Sequence, residues 1–223
     1  MKVKVKAKVK ALVIDVGGTH VKLLATGRRT PAKFDSGPHL TPAVMVRETL
    51  AATQGWRYDA IAIGYPGPVR NGRPVTEPFN LGRGWRRFDF ARAFRVPVRI
   101  VNDAAMQALG SYDSGRMLFL GLGTGLGTAV VENGVVLPLE LAHLPYREGK
   151  SFEDYLGVRG LERLGHHKWA KHVAIVAELL RAAVIADHVV LGGGNVKNLR
   201  RMPPHCRRGD NMNAFRGGLR VWT

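Results

Sequence analysis

Cysteine is almost absent: Cys206 is the only one in 223 residues. No intrachain disulfide can form, and no zinc site built on several thiolates. A reducing compartment fits, and a cytoplasmic protein is expected. Acidic residues are scarce too, 17 against 34 Lys+Arg. No apolar run reaches the roughly 18 residues that a membrane span needs, so no membrane partner is expected. The lysine-rich start lacks the apolar h-region of a secretory signal, which argues against one. Hydrophobic residues at 45% and charged residues at 23% are ordinary globular usage, which excludes a disordered chain.

What the chain has in excess is positive charge, a formal net +17. Such a surface attracts polyanions, whether nucleic acid, anionic lipid or phosphorylated substrates, and it equally serves solubility. The length suits one large domain or two small lobes.

Residues 2–10 alternate Lys with Val or Ala, a period of two that reads as a strand with one basic face. The apolar run ALVIDV meets Gly17-Gly18, and a second strand-like run, VKLLAT, follows. Residues 42–54 have helical spacing after Thr41, a suitable N-cap. IAIGYPGPV (61–69) reads as a buried strand ending in a Gly/Pro loop, FDFARAF as a short helix and VPVRIV (96–101) as a strand. AAMQALGSY opens a helix after Asn102-Asp103. Residues 116–136 again read as strand, glycine turn, strand. Residues 167–185 form a long amphipathic helix, and HVVLGGGNV (188–196) a strand running into a glycine turn. Two hairpin-first units in one chain form a weak internal duplication. They predict an α/β protein of two lobes, 1–103 and 104–223, with a central cleft.

Three glycine-rich turns stand out: Asp15-Val-Gly-Gly-Thr-His20, Gly121-Leu-Gly-Thr-Gly-Leu-Gly127 and Gly192-Gly-Gly-Asn195. Glycine lets backbone N–H groups approach phosphate oxygens, Thr19 and Thr124 add hydroxyl donors, and Lys22 a point charge. Any one of them is equally a plain tight turn. GLGTGLG spells a dinucleotide fingerprint, but a strand follows it instead of a helix, so that site is rejected. No P-loop pattern is present. Asp103 stands at the C-terminal end of a strand, where it can accept a proton from an attacking hydroxyl or simply cap the next helix. Glu140 and His143, three apart, would share a helical face; such a pair binds sugar hydroxyls or a metal, or forms a structural hydrogen bond. His166-His167 read as a solvated helix start. Cys206 lies beside Arg207 and Arg208, which would lower its pKa, but no partner base is evident and an unreactive thiol is expected.

Taken in order, these residues resemble the ROK sugar kinases, and within them the polyphosphate glucokinases. The resemblance runs from Val13 to Trp222 and implies an actin-like (ribonuclease H-like) duplicated fold. IDVGGTHVK is similar to the first phosphate motif, with Gly17, Gly18, Thr19 and Lys22 on phosphate and Asp15 near Mg²⁺, through water. PFNLGRGW resembles a sugar-side loop, with Asn80 as a contact. VNDA resembles the catalytic motif, making Asp103 the base and Asn102 a sugar ligand. GLGTGLGTA resembles the second phosphate motif, with Gly123, Thr124 and Gly125 on phosphate. ELAHLPYREGKSFEDYLG resembles the sugar segment, in which Glu140, His143 and Glu153 bind glucose hydroxyls. VVLGGGN resembles the nucleotide-side turn, Gly192, Gly193, Gly194 and Asn195. Most ROK kinases carry a cysteine-rich zinc motif between His143 and Glu153; this chain has none, which is characteristic of the polyphosphate subgroup.

The resemblance therefore implies glucose 6-phosphate formation from glucose with Mg²⁺, without zinc, and with inorganic polyphosphate or ATP as donor. It also implies a homodimer and no specific nucleic acid. Candidate tracks for the polyphosphate chain are Arg83, Arg86 and Arg87; the Lys2–Lys10 face; and Lys197, Arg200, Arg201, Arg207 and Arg208. The alternatives are a strictly ATP-dependent ROK hexokinase and a sugar-responsive DNA-binding regulator. The latter is disfavoured because only about 12 residues precede the first phosphate motif.

Overall fold

The computed structural model describes residues 9–210 and 212–223. The lysines from Lys2 to Lys8 lie outside the described residues. Val9 and Lys10 are exposed and precede the first strand. The chain divides into two compact units, one running to Val101 and joined by Gly218–Thr223, the other Asn102–Gly217. The sequence reading, which divides the chain after residue 103, assigns Gly218–Thr223 to the other unit.

The first unit holds β1 (Ala11–Val16), β2 (His20–Ala25), β3 (Ala32–Asp35), α1 (Pro42–Ala52), β4 (Ala60–Tyr65), β5 (Val69–Arg70), β6 (Arg73–Pro74), α2 (Phe90–Phe94) and β7 (Val98–Asn102). Its main sheet runs β3-β2-β1-β4-β7. β1 and β2 pair antiparallel, whereas β1 and β4 pair parallel after the α1 crossover. Leu12, Ile14 and Val16 alternate along β1 and share one core with Met45 and Val46 of α1 and with Trp85 and Phe90. Alternation puts every second strand side chain on the same face. As expected, Thr41 caps α1, its hydroxyl accepting from the Val44 N–H at 3.3 Å, with Pro42 just inside the helix.

The second unit holds α3 (Asp103–Ser111), β8 (Arg116–Leu122), β9 (Leu126–Glu132), β10 (Val135–Leu139), β11 (Pro145–Arg147), β12 (Lys150–Ser151), α4 (Phe152–Leu156), α5 (Val158–Ala183), β13 (His188–Gly192) and β14 (Cys206–Arg208); α6 covers Asn213–Arg220. Its sheet runs β10-β9-β8-β13-β14. The β8–β9 and β9–β10 pairs are antiparallel and the β8–β13 pair is parallel. The strand order of the first unit thus recurs, and the duplication read in the sequence is a duplication of sheet topology. Leu118, Leu120 and Leu122 of β8 pack with Trp169, Val173 and Val176 of α5. Met117 and Phe119, on the opposite face, pack with Ala104, Ala105 and Ala108 of α3.

α5 begins at Val158, ahead of the expected 167. Gly165 lies within it at φ 71° and ψ 163°, so two helical segments meet at a kink. His166 and His167 open the second segment and are exposed. No helix among the described residues is long and apolar enough to cross a membrane.

Candidate active site

In the first unit the β1–β2 turn is closed by the Gly17 N–H donating to the His20 carbonyl at 3.0 Å. Ser36 clasps it from outside: its hydroxyl donates to the Gly17 carbonyl at 2.6 Å, and its N–H donates to the Thr19 carbonyl at 3.0 Å. Gly18 and Thr19 remain exposed. Asp15 and Lys22 face each other across the β1–β2 ladder. Burial raises the Asp15 carboxyl above its ordinary range, and the Lys22 ammonium opposes the shift. Asn80 lies by the same turn: its Nδ2 is 3.9 Å from where a Gly18 Cβ would stand. The loop carrying Asn80 is fixed by Glu77, whose carboxylate accepts from the N–H groups of Gly84, Trp85 and Arg86 at 2.9, 3.0 and 3.4 Å. Neither Ser36 nor Glu77 was singled out by the sequence, because each acts on backbone far from it along the chain.

In the second unit β7 hands over to α3 at Asn102-Asp103. Asn102, not Asp103, caps the helix, its Oδ1 accepting from the Ala105 N–H at 2.9 Å. Asp103 is the first helical residue and accepts from the Ala104 N–H at 2.8 Å. Half-buried Asp103 is thereby set at the end of its strand without serving as the cap.

The second glycine turn joins β8 to β9. The third is tied to it: Asn195 donates from Nδ2 to the Gly123 carbonyl at 2.9 Å. Glu153, on the first turn of α4, accepts from the Leu126 N–H at 3.1 Å. Glu140 and His143 sit nearby. They were expected on one α-helical face, but Glu140 precedes a single 3₁₀ turn, Leu141–His143, which brings the same spacing into register by a tighter route. Partial burial raises the Glu140 carboxyl; His143 lowers it and Glu153 raises it, so the three side chains form one electrostatic group. Thr128, fully buried in β9, brackets Glu140: its hydroxyl donates to the Leu139 carbonyl at 2.7 Å and accepts from the Leu141 N–H at 3.2 Å. Ser151 and Asp154 form a reciprocal capping box that starts α4 and so aims Glu153. That Ser-x-x-Asp spacing was a readable signal.

Among the described residues no three His, Cys, Asp or Glu side chains group so as to hold a metal. Mg²⁺ makes a smaller demand, one or two carboxylates plus water and substrate phosphate, and Asp15 beside the first turn fits it.

Of the basic candidates, Lys10, Arg83, Arg86, Arg87, Lys197, Arg200, Arg201 and Arg208 are exposed and Arg207 is half-buried. Arg207 pairs with Asp113 at 2.8 Å, and Arg208 donates to the Leu199 carbonyl at 3.0 Å, so these two are tied into the fold.

Cys206 corrects one expectation. Burial pushes its thiol up to about 11, Glu178 adds to the rise, and the cation opposing it is Arg181 of α5, not Arg207 or Arg208. Ellman's reagent at pH 8 should label the native thiol roughly 100-fold more slowly than a free cysteine, with full labelling on denaturation. Fast native labelling would refute the burial argument.

The ROK family profile matches residues 11–138. The chain belongs to the ROK family. A polyphosphate glucokinase of Mycobacterium leprae is 30% identical over 209 residues, 86% of this chain and 61% of that protein. A polyphosphate glucokinase of Mycobacterium tuberculosis is 30% identical over 204 residues, 81% of this chain and 76% of that one. This ROK chain therefore spans less than two thirds of the first of these relatives. Among solved structures, the inorganic polyphosphate/ATP-glucomannokinase from Arthrobacter sp. strain KM shares its fold, with a TM-score of 0.79, 20% identity, and coverage of 95% of this chain and 97% of that one. The ROK fold here is mixed α/β, and the zinc-motif interval between His143 and Glu153 is occupied by the β11–β12 hairpin, which turns at Glu148 and Gly149.

Proposed function

We propose that the chain is a phosphotransferase that makes glucose 6-phosphate from glucose, with inorganic polyphosphate as donor and ATP as a second donor. The observation that carries this is the arrangement in the second unit. The carboxylate–imidazole group Glu140, His143 and Glu153 suits sugar hydroxyls, and Glu153 also holds the backbone of a glycine turn suited to phosphate. The names of the mycobacterial relatives support the same substrates.

On this reading Asn80, Asn102, Asp103, Glu140, His143 and Glu153 are the sugar ligands. Gly17, Gly18, Thr19, Lys22, Gly123, Thr124 and Gly125 serve the phosphates, and the turn Gly192, Gly193, Gly194 and Asn195 serves the nucleotide side. Asp103 accepts the proton of the 6-hydroxyl as its oxygen bonds to the terminal phosphorus. The bridging P–O bond breaks, and the donor leaves one phosphate shorter with the electron pair. When bound near Asp15, Mg²⁺ neutralises charge on the phosphates. A cytoplasmic homodimer belongs to the same reading and rests on family resemblance.

The test is glucose 6-phosphate formation by the purified chain from glucose, Mg²⁺ and polyphosphate, followed with a coupled dehydrogenase. No product would sink the proposal. Because a basic track such as Lys197, Arg200 and Arg201 displaces the counterions condensed on a polyanionic donor, the donor's KM should rise about 10-fold or more from 50 to 200 mM KCl, while the glucose KM stays nearly constant. A polyphosphate KM that ignores salt would exclude a track with several contacts.

A further inference from the structure

Between His143 and Glu153 the chain leaves the sugar group and returns to it as the β11–β12 hairpin. The root of the hairpin is closed by the Phe152 N–H, which donates to the Leu144 carbonyl at 3.2 Å. This bond joins the residue after His143 to the residue before Glu153, so the seating of the hairpin sets the spacing of those two side chains. Strands of three and two residues are too short to hold that seating by themselves. Side chains of the neighbouring helices hold it. The Tyr146 ring lies 5.2 Å from Phe152 and, edge-on, 5.0 Å from Tyr155, both of α4. It also meets His172 of α5 edge-on at 5.7 Å, and its hydroxyl is hydrogen-bonded to His172 Nδ1 at 3.1 Å. At the tip, the Tyr155 hydroxyl donates to the Glu148 carboxylate at 3.2 Å. Arg147 lies over the Tyr146 ring at 5.3 Å and Arg163 over the Tyr155 ring at 5.2 Å.

We infer that His172 of α5 is a positioning residue for the sugar group: on the functional reading above, its bond to Tyr146 braces the hairpin and so holds His143 and Glu153 at the separation that glucose requires. His172 touches no reacting atom and acts through Tyr146. Ligands held in place before the sugar arrives bind it more tightly, because the sugar does not bear the cost of ordering them. The brace also has a protonation state. An Nδ1 that accepts from the Tyr146 hydroxyl carries no proton, so the imidazole is neutral. Burial holds His172 below the ordinary histidine range; Arg147 of the hairpin and Arg163 of α5 push the same way, and Glu148 opposes them. With the hydroxyls of Tyr146 and Tyr155, these are the polar groups around the ring. A histidine lowered in the fold supports it at neutral pH and loses that support as pH falls below about 6.5. The imidazolium then faces two guanidinium groups, and the hairpin loosens.

The experiment measures glucose binding to the full chain by calorimetry without donor, beside kcat, the polyphosphate KM and the thermal midpoint. Tyr146→Phe keeps the ring contacts and removes only the hydroxyl. It should weaken glucose binding about 3- to 10-fold, the scale of one lost hydrogen bond, with kcat and the polyphosphate KM within about 2-fold of wild type. His172→Leu should do the same, and the double variant should lose no more than either alone. His172→Asn places an oxygen acceptor where Nδ1 stands and does not titrate. It should bind glucose as wild type does at about pH 7.5, and lose less affinity than wild type on going to about pH 5.5. Tyr146→Phe with the wild-type glucose constant overturns the proposal, and a lowered thermal midpoint beside that constant would show a brace that serves stability alone. A His172→Asn protein that follows the wild-type pH profile overturns it as well. Glucose bound by wild type without product from any donor refutes the functional reading alone; no glucose binding by wild type refutes both.

Discussion

Replacing Asp103 by alanine is expected to lower kcat by roughly 10²- to 10⁴-fold, the range lost when a positioned general base is removed. The fold should survive, and the structure gives the reason. The cap of α3 is the Asn102 side chain on the Ala105 N–H at 2.9 Å, which the substitution leaves in place. What goes is the local bond from the Ala104 N–H to Asp103 at 2.8 Å. Asn102→Ala removes the cap and should cost about 1 kcal/mol of stability, and because Asn102 is also a proposed sugar ligand it should raise the glucose KM more than it lowers kcat. Comparing kcat and thermal midpoints of the two variants separates base from cap. An Asp103→Ala protein with near-normal turnover would overturn the assignment.

Gly217→Ala should be among the most destabilising small substitutions in the chain. In the second unit α3 and the start of α6 meet backbone to backbone. A Cβ on Gly217 would stand 1.7 Å from the Met106 carbonyl oxygen, and one on Gly110 would stand 1.8 Å from the Asn213 carbonyl oxygen. No rotamer relieves such a clash, so the helices must part. The buried bond from Asn213 Nδ2 to the Ser111 hydroxyl, 2.7 Å long, parts with them. Overpacking of this kind costs roughly 1–3 kcal/mol, which lowers Tm by about 2–12 °C in a chain of this size. Gly123→Ala is the control, because nothing lies within 4 Å of its added Cβ. Equal melting temperatures for the two variants would refute the close approach.

Much of this was legible because it is local. The strand–glycine–strand pattern at ALVIDVGGTHVK and at RMLFLGLGTGLG gives two hairpins, and these recur in equivalent places of the two sheets. The order of the motifs led to the family. What escaped acts across sequence distance. Ser36, Glu77 and Thr128 are ordinary polar residues in sequence; each matters because folding brings remote backbone N–H or C=O groups to it. Cys206 shows the same limit from the other side. Its chain neighbours Arg207 and Arg208 turn to Asp113 and Leu199, while Arg181 of α5, remote in sequence, is the cation that acts on the thiol. Glu140 and His143 have the spacing of an α-helical pair but flank a 3₁₀ turn, because Thr128 pins the backbone on both sides of Glu140.

Glucose 6-phosphate formation measured side by side with polyphosphate, ATP and GTP, at one glucose and Mg²⁺ concentration, tests the central claim most directly. Turnover with polyphosphate, with ATP as a second donor, is the predicted result. Turnover with ATP or GTP alone, or with no donor, would contradict it.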